Sequence, residues 1–527
     1  MFGAAALVGG IPAGCSSTAP ITSAAPRLKP FELQEMTVAE LRQGMASSRF
    51  TASGLAKSYF RRIDEIDRQG PRLKSVIELN PDALAIAWEL DRERAAKGPR
   101  GPLHGIPVLL KDNIDTHDRM MTTAGSLALS GSIAPRDAFL VERLRAAGAV
   151  LLGKTNLSEW ANFRGSRSIS GWSGRGGLSR NPYVTDRSTS GSSAGSAAAV
   201  SASLCAVAIG TETDGSIVSP SSYCGVVGLK PTVGLVSRSG VIPISSSQDT
   251  AGPMGRCVAD VAALLSAMTG LDNRDQATTA SAGKVEHDYT KFLDAKALRD
   301  ARIGVARSSF KMSRLVDSVL ETALAAIKSE GAALIDMKWP SRQDLGDAES
   351  QVMLYEFKAG LNKYFESLGP TAPVKTLEDL IDFNERNRER ELILFGQETL
   401  IDAQSKGPLT EQRYLDARAR CVKWSKEIEA LLESNRLDAI VAPTTGPAHA
   451  LDLVVGDRGL GGSSTYAAVS GLPSVTVPCG DVSGLPIGLS FIAPAWQEGR
   501  LLALAYAFEQ TTKARKPPRF LRTLELG

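Results

Sequence analysis

The sequence predicts an α/β fold, a single large domain built around a largely buried sheet. Three observations point there. Helical and strand signals alternate from about residue 30 onward. Several of the strand signals are short, wholly apolar runs, as a sheet covered on both faces requires. Strand signals also return near the C-terminus after a long helical stretch, so the late strands rejoin the early ones instead of founding a second domain. The composition agrees: 527 residues, 43% hydrophobic and 22% charged, can bury a large core.

The elements follow in order. Thr37-Val-Ala-Glu40 reads as a capping box that opens a helix. A second helix carries Leu55, Tyr59, Ile63 and Ile66 at spacings of three and four. Residues 81–97 form a third, with Pro81 in its first turn and Gly98 just past its end. The apolar run 106–110 is a buried strand that ends on Lys111. Asp137 caps a helix reaching Ala147, Gly148 stops it, and residues 149–152 are another strand. Residues 188–243 differ, being dense in Gly, Ser and Thr. From about 260 to 432 the pattern is helical and charged, with one strand at 302–305, and reads as a helical layer over the site. Strands return at 437–441, 474–477 and 487–492. No internal repeat is present.

Charge and metal-ligand counts exclude several functions. Sixty basic against fifty-seven acidic residues leave +3 and no Lys/Arg block, which offers no footprint for nucleic acid. Six cysteines, among them Cys205, Cys224, Cys257, Cys421 and Cys479, show no CxxC spacing and read as packed thiols. Four histidines without HExxH make a metal site or metal cofactor an unfavoured reading, and they restrict the choice of general base.

Residues 1–29 stand apart. A short apolar run at 4–11 leads to Pro12-Ala-Gly-Cys15 and a Ser/Thr/Ala/Pro-rich stretch. Cys15 is placed like the modified cysteine of a bacterial lipoprotein, which makes it a candidate lipid anchor and the chain a candidate for export, periplasmic or lipoprotein-like. The missing basic n-region and Pro12 argue instead for a disordered tail on a cytoplasmic protein. No stretch is long and apolar enough to span a bilayer.

The Gly/Ser-rich centre carries the chemistry. Ser188-Thr-Ser-Gly-Ser-Ser-Ala-Gly-Ser196 leads into an Ala-rich helix and the apolar run 205–209, and Gly210-Thr-Glu-Thr-Asp-Gly-Ser216 follows. Two small-residue loops therefore flank one helix–strand unit, where backbone N–H groups can approach a ligand closely. A linker would not enclose an apolar segment. Gly191-Ser192-Ser193-Ala194-Gly195 satisfies the GxSxG elbow centred on Ser193, but the approach at 183–189 is polar, and only His287 and His449 lie downstream. Ser308-Ser-Phe-Lys311 matches SxxK without the KTG that should follow. The glycines form no nucleotide-binding pattern.

Gly191-Ser-Ser193, Gly210-Thr-Glu-Thr-Asp-Gly-Ser216-Ile and Cys224-Gly-Val-Val-Gly-Leu-Lys-Pro-Thr232, with Gly105-Ile-Pro-Val-Leu-Leu-Lys111-Asp-Asn-Ile-Asp115 upstream, resemble the amidase signature family. The resemblance spans residue 35 to the C-terminus and places an amidase domain at residues 30–527. It implies a mixed central sheet with helices on both faces, a Ser–cis-Ser–Lys triad and no cofactor. Ser216 is then the nucleophile, Ser192 the bridging serine and Lys111 the base, with the backbone N–H groups of Thr213, Asp214 and Gly215 receiving the oxyanion. A lysine at about 10.4 in water can serve as base once desolvated, and the end of an apolar run supplies that burial.

Asp214 replaces a glycine of the usual GGS run, Ser190 and Ala194 replace glycines of the first loop, and Val218 stands where many members carry arginine. These changes, with Asn156-Leu-Ser-Glu-Trp160-Ala-Asn-Phe-Arg164, Gln248-Asp-Thr-Ala-Gly-Pro-Met254 and Leu354-Tyr-Glu-Phe-Lys-Ala-Gly360, are similar to the bacterial peptide amidases. That similarity implies a monomeric enzyme releasing ammonia from C-terminal peptide amides. Trp160 and Phe163 are candidates for an apolar side-chain pocket or for core packing. The alternatives are a broader aryl or aliphatic amidase, a glutamine-dependent transamidase component, and a non-catalytic binding protein.

Overall fold

Eleven strands form one sheet in the computed structural model, which describes residues 28–341, 343 and 345–524. The N-terminal segment with Cys15 lies outside the described residues. The strands are β1 Val76–Leu79, β2 Pro107–Lys111, β3 Val150–Thr155, β4 Val207–Glu212, β5 Val227–Lys230, β6 Thr250–Gly255, β7 Arg302–Ala306, β8 Ala333–Met337, β9 Ala439–Pro443, β10 Ser474–Val482 and β11 Leu485–Ile492. Their order across the sheet is β1-β3-β2-β4-β6-β5-β10-β11-β9-β7-β8. The pairs β3–β2, β2–β4, β9–β7 and β7–β8 are parallel and the remainder antiparallel. The late strands thus rejoin the early sheet, as the sequence predicts, and the fold is one large mixed α/β domain.

The helices arise from local signals that the sequence largely shows. Helix α1 (Val38–Ala46) opens on the predicted capping box: the Glu40 N–H donates to Thr37 Oγ1 (3.2 Å) and the Thr37 N–H to Glu40 Oε2 (2.7 Å). Helix α2 (Ala52–Arg62) continues as a π-helical turn, Ile63–Gln69, and all four predicted apolar residues are buried. Helix α3 (Ala83–Lys97) starts two residues after Pro81. Helix α4 (Phe139–Ala146) corrects the Asp137 cap. Asp137 accepts instead from the His117 N–H (2.6 Å) and Arg145 Nε (2.8 Å), because a cation and a free amide compete with the helix end for its carboxylate.

Four strands are not predicted from the sequence: β1, a four-residue edge strand, and β5, β6 and β8. β6 is rich in glycine and proline, and β5 has a glycine among only four residues; both residue types ordinarily weaken strands. They persist at the sheet centre because the neighbouring backbone leaves no room for a side chain: a Cβ on Gly252 would lie 2.0 Å from the Leu229 carbonyl oxygen. β8 is a half-exposed edge strand, so its burial pattern lacks the apolar run that marks β2 or β3.

Helices α5 (Ala194–Ser201), α6 (Val218–Tyr223), α7 (Val258–Met268), α8 (Arg314–Ser329) and α15 (Glu498–Thr512) pack against the sheet. The predicted helical layer is α9 (Leu345–Ser367), α10 (Leu377–Arg386), α11 (Arg388–Glu391), α12 (Glu398–Gln404) and α13 (Gln412–Ser434), and α14 (Ser464–Ser470) packs on α13. A fully buried guanidinium ties this layer down. Arg164 donates to Glu159 Oε1 (2.7 Å) and to the carbonyls of Glu391 (2.8 Å) and Phe395 (3.0 Å), with its plane against the rings of Trp172 and Phe395. Burial, then the nearby Glu159, push the Glu391 carboxyl well above the usual carboxylate range, which favours its neutral form beside the single guanidinium. Among the described residues no helix is long and apolar enough to cross a membrane. Cys205, Cys224, Cys421 and Cys479 are buried free thiols, and Cys257 is a free thiol at intermediate exposure.

Candidate active site

Parallel pairing of β2 with β4 aligns Leu110 with Ile209, so the ends of both strands open on one side of the sheet. Lys111 is the last residue of β2, and every residue of that strand is buried. Its Nζ lies 2.7 Å from Ser192 Oγ, 2.8 Å from Thr211 Oγ1 and 3.2 Å from the Thr211 carbonyl oxygen. Burial lowers the Lys111 ammonium to about 7, against the opposing negative charges of Glu212 and then Asp249. A neutral amine has two N–H bonds and one lone pair. With both N–H bonds directed to the two oxygens of Thr211, the lone pair faces Ser192. Asn113 Nδ2 donates to the same Thr211 hydroxyl (3.0 Å) and holds it in place.

Ser192 follows a cis Gly191–Ser192 peptide and is fully buried. Its carbonyl accepts from the Ser158 N–H (3.1 Å). The adjacent Ser193 N–H donates to the Ser216 carbonyl (3.1 Å), which joins the two small-residue loops directly. The turn from Thr213 to Ser216 is braced from below by Glu212, whose Oε2 accepts from the N–H groups of Ile217 (2.7 Å) and Val218 (3.0 Å). Gly215 has φ +80, and a Cβ there would lie 2.9 Å from both Ser219 Oγ and Ser464 Oγ, so the turn needs glycine. Asp214 Oδ2 accepts from Thr465 Oγ1 (2.7 Å). Among the described residues the backbone amides of Thr213, Asp214, Gly215 and Ser216 donate to no other backbone group, so they are open to an acceptor.

The structure therefore brings Lys111, Ser192, Ser216, Thr213, Asp214 and Gly215 together. It separates the rival elbow. Ser193 Oγ donates to the Thr211 carbonyl (3.1 Å) and accepts from the Thr211 N–H (3.2 Å), so its hydroxyl is spent on the strand. His449 hydrogen-bonds Tyr223 Oη and Asp457 Oδ1, each at 3.2 Å. Ser193→Ala is accordingly expected to cost about 1–2 kcal/mol of stability while the folded enzyme keeps amide turnover within about tenfold of wild type; thermal melting and ammonia release check both. Trp160 is buried against Phe365 (ring centroids 6.1 Å apart), so it packs the core; Phe163 is half-buried beside Phe357 (5.0 Å). Thr211, Asn113, Gln248 and Asp249 carry no flag in the sequence beyond lying in or beside the quoted motifs. Their importance appears only from contacts across the sheet.

A profile of the amidase family matches residues 55–502, most of the chain. The chain belongs to the amidase family. This amidase is similar to a probable amidase of Arabidopsis thaliana, 42% identical over 93% of each chain. It is similar in structure to the native peptide amidase of Stenotrophomonas maltophilia, with 52% identity, TM-score 0.90, and coverage of 93% of this chain and all of that one. It is also similar to a component of the glutamyl-tRNA(Gln) amidotransferase of Acinetobacter baylyi, 36% identical over 91% of this chain and 97% of that one.

Proposed function

We propose that this amidase releases ammonia from C-terminal carboxamides of peptides through an acyl-enzyme on Ser216. The observation that carries the chemistry is the 2.7 Å approach of Lys111 Nζ to Ser192 Oγ, beside a loop bonded to the Ser216 backbone. Neutral Lys111 takes the Ser192 proton as Ser192 takes that of Ser216. Ser216 Oγ attacks the carboxamide carbon, and the amides of Thr213, Asp214 and Gly215 receive the oxygen as it becomes negative. Collapse breaks the C–N bond, the proton returns through Ser192 to the departing nitrogen, and ammonia leaves. Water, activated along the same path, cleaves the ester and frees the acid and Ser216. Each well-placed oxyanion donor contributes about 3 kcal/mol to such a step.

The similarity to the Stenotrophomonas maltophilia peptide amidase supports peptide amides as the substrate class. A second reading, transfer of glutamine amide nitrogen, takes support from the amidotransferase component, at lower identity. Ammonia release from a panel of peptide amides, aryl amides and free glutamine separates these. Peptide amides are expected to give a kcat/KM at least about tenfold above the others, the scale of a modest difference in side-chain binding. Equal rates across the panel would remove the narrower assignment, and a glutamine preference would favour the second reading.

A further inference from the structure

Thr213 begins the turn that leads to Ser216, and its side chain is held from a distant part of the chain. Its hydroxyl donates to Asp249 Oδ1 (2.5 Å). Asp249 Oδ2 in turn accepts from the backbone N–H groups of Ile244 (2.8 Å) and Ser245 (2.9 Å), so the carboxylate cannot swing away. Gln248 Nε2, one residue earlier, donates to the Thr213 carbonyl (3.3 Å) and to Glu349 on α9 (2.9 Å). Glu356, two turns further along α9, accepts from Ser245 Oγ (2.6 Å), the Ser247 N–H (2.9 Å) and Ser247 Oγ (2.5 Å). Residues 244–249 thus form a bracket between the helical layer and the nucleophile turn. We propose that Asp249 is a positioning residue, fixing through Thr213 the turn that receives the developing oxyanion. The assignment rests on the reading of Ser216 as nucleophile.

Fixing that turn matters because oxyanion donors act only when already aimed. A displacement of about 1 Å costs on the order of a hundredfold in rate. Asp249 touches no substrate atom in this scheme; it acts through Thr213. Its charge also reaches the base. Burial raises Asp249 to about 6, so it is mainly anionic at neutral pH, and its charge, after that of Glu212, favours the protonated form of Lys111. The other charged groups around it are Arg238, which is paired with Asp275, and Glu356 from α9; Lys230 faces Glu212 from β5.

Three variants of the full chain test this by kcat, KM and the pH profile of kcat/KM. Asp249→Ala removes both clamp and charge: kcat is expected to fall about 10–100-fold with KM nearly unchanged, and the acid limb to move to lower pH. Asp249→Asn keeps an oxygen for the Ile244 and Ser245 amides and an N–H for Thr213. It is expected to hold kcat within about tenfold of wild type and still move the acid limb down. Thr213→Val removes the clamp and leaves the charge, so kcat falls with the limb in place. Combined with Asp249→Ala it adds little further loss, since both break one interaction. A purely structural role would lower the melting temperature and leave kcat per folded molecule and the limb unchanged; that result overturns the proposal. So would an unmoved limb in Asp249→Asn. Wild-type protein that hydrolysed no amide would sink the reading of the site along with it, whereas normal wild-type turnover with indifferent Asp249 variants removes only the Asp249 assignment.

Discussion

Lys111→Met is expected to lower kcat/KM for carboxamide hydrolysis by about 10³–10⁴-fold while the protein stays folded. Methionine fills most of the buried volume of the lysine stem but cannot accept a proton, so the loss reports the base and not a cavity. Lys111→Arg should be equally inactive, because a guanidinium stays charged and has no lone pair to offer. In the wild type, only the neutral amine is a base. With Lys111 lowered to about 7, kcat/KM is expected to rise with pH through that value and to fall about tenfold per unit well below it. The same shift affects stability with a definite sign. Between about 7 and the ordinary lysine value the unfolded chain holds a proton that the folded chain has released, so this group's contribution to stability rises with pH there. Below 7 both states are protonated and the burial penalty is constant. A pH–rate profile without an acid limb near 7 would contradict this account of the base.

Ser216→Ala is expected to remove turnover by about 10⁴–10⁶-fold, the scale of losing an attacking group from a cooperating set. Substrate affinity should survive, since neither the turn nor the amides of Asp214 and Gly215 depend on the hydroxyl. Ser192→Ala should approach the same loss, because it removes the hydroxyl that Lys111 Nζ faces at 2.7 Å and that the proposed relay needs between the base and Ser216. The contrast with the mild effect expected for Ser193→Ala is informative: the two neighbouring serines are expected to differ by orders of magnitude because one hydroxyl faces the amine and the other is tied to the Thr211 backbone.

Much of the fold was legible wherever burial leaves a local mark. The capping box at Thr37, the apolar run ending on Lys111 and the late strands all read directly. What stayed hidden was set by contacts distant in sequence. β6 looks like a loop because glycine and proline make up half of it, and β5 is only four residues long with a glycine inside; only a crowded sheet centre makes those residues suitable. Asp137 looks like a cap until Arg145 and the His117 amide claim its carboxylate. In the site, the motif resemblance named Lys111, Ser192, Ser216 and the oxyanion turn, yet it could not show that Thr211 absorbs both N–H bonds of the amine. Nor could it show that Asp249, 36 residues beyond Thr213, reaches back to hold it. Trp160 shows the opposite limit, since an aromatic residue beside a motif reads equally as pocket or core until its neighbours are known.

The central claim is that Ser216 forms the acyl-enzyme. It is tested most directly by acid-quenching the enzyme during turnover of an activated ester of a peptide acid and mapping the acyl group by peptide mass spectrometry. The account predicts the acyl mass on the peptide containing Ser216, with fragment ions assigning it to that residue, and its loss in Ser216→Ala. An acyl group on Ser193, or labelling that persists unchanged in Ser216→Ala, would contradict it.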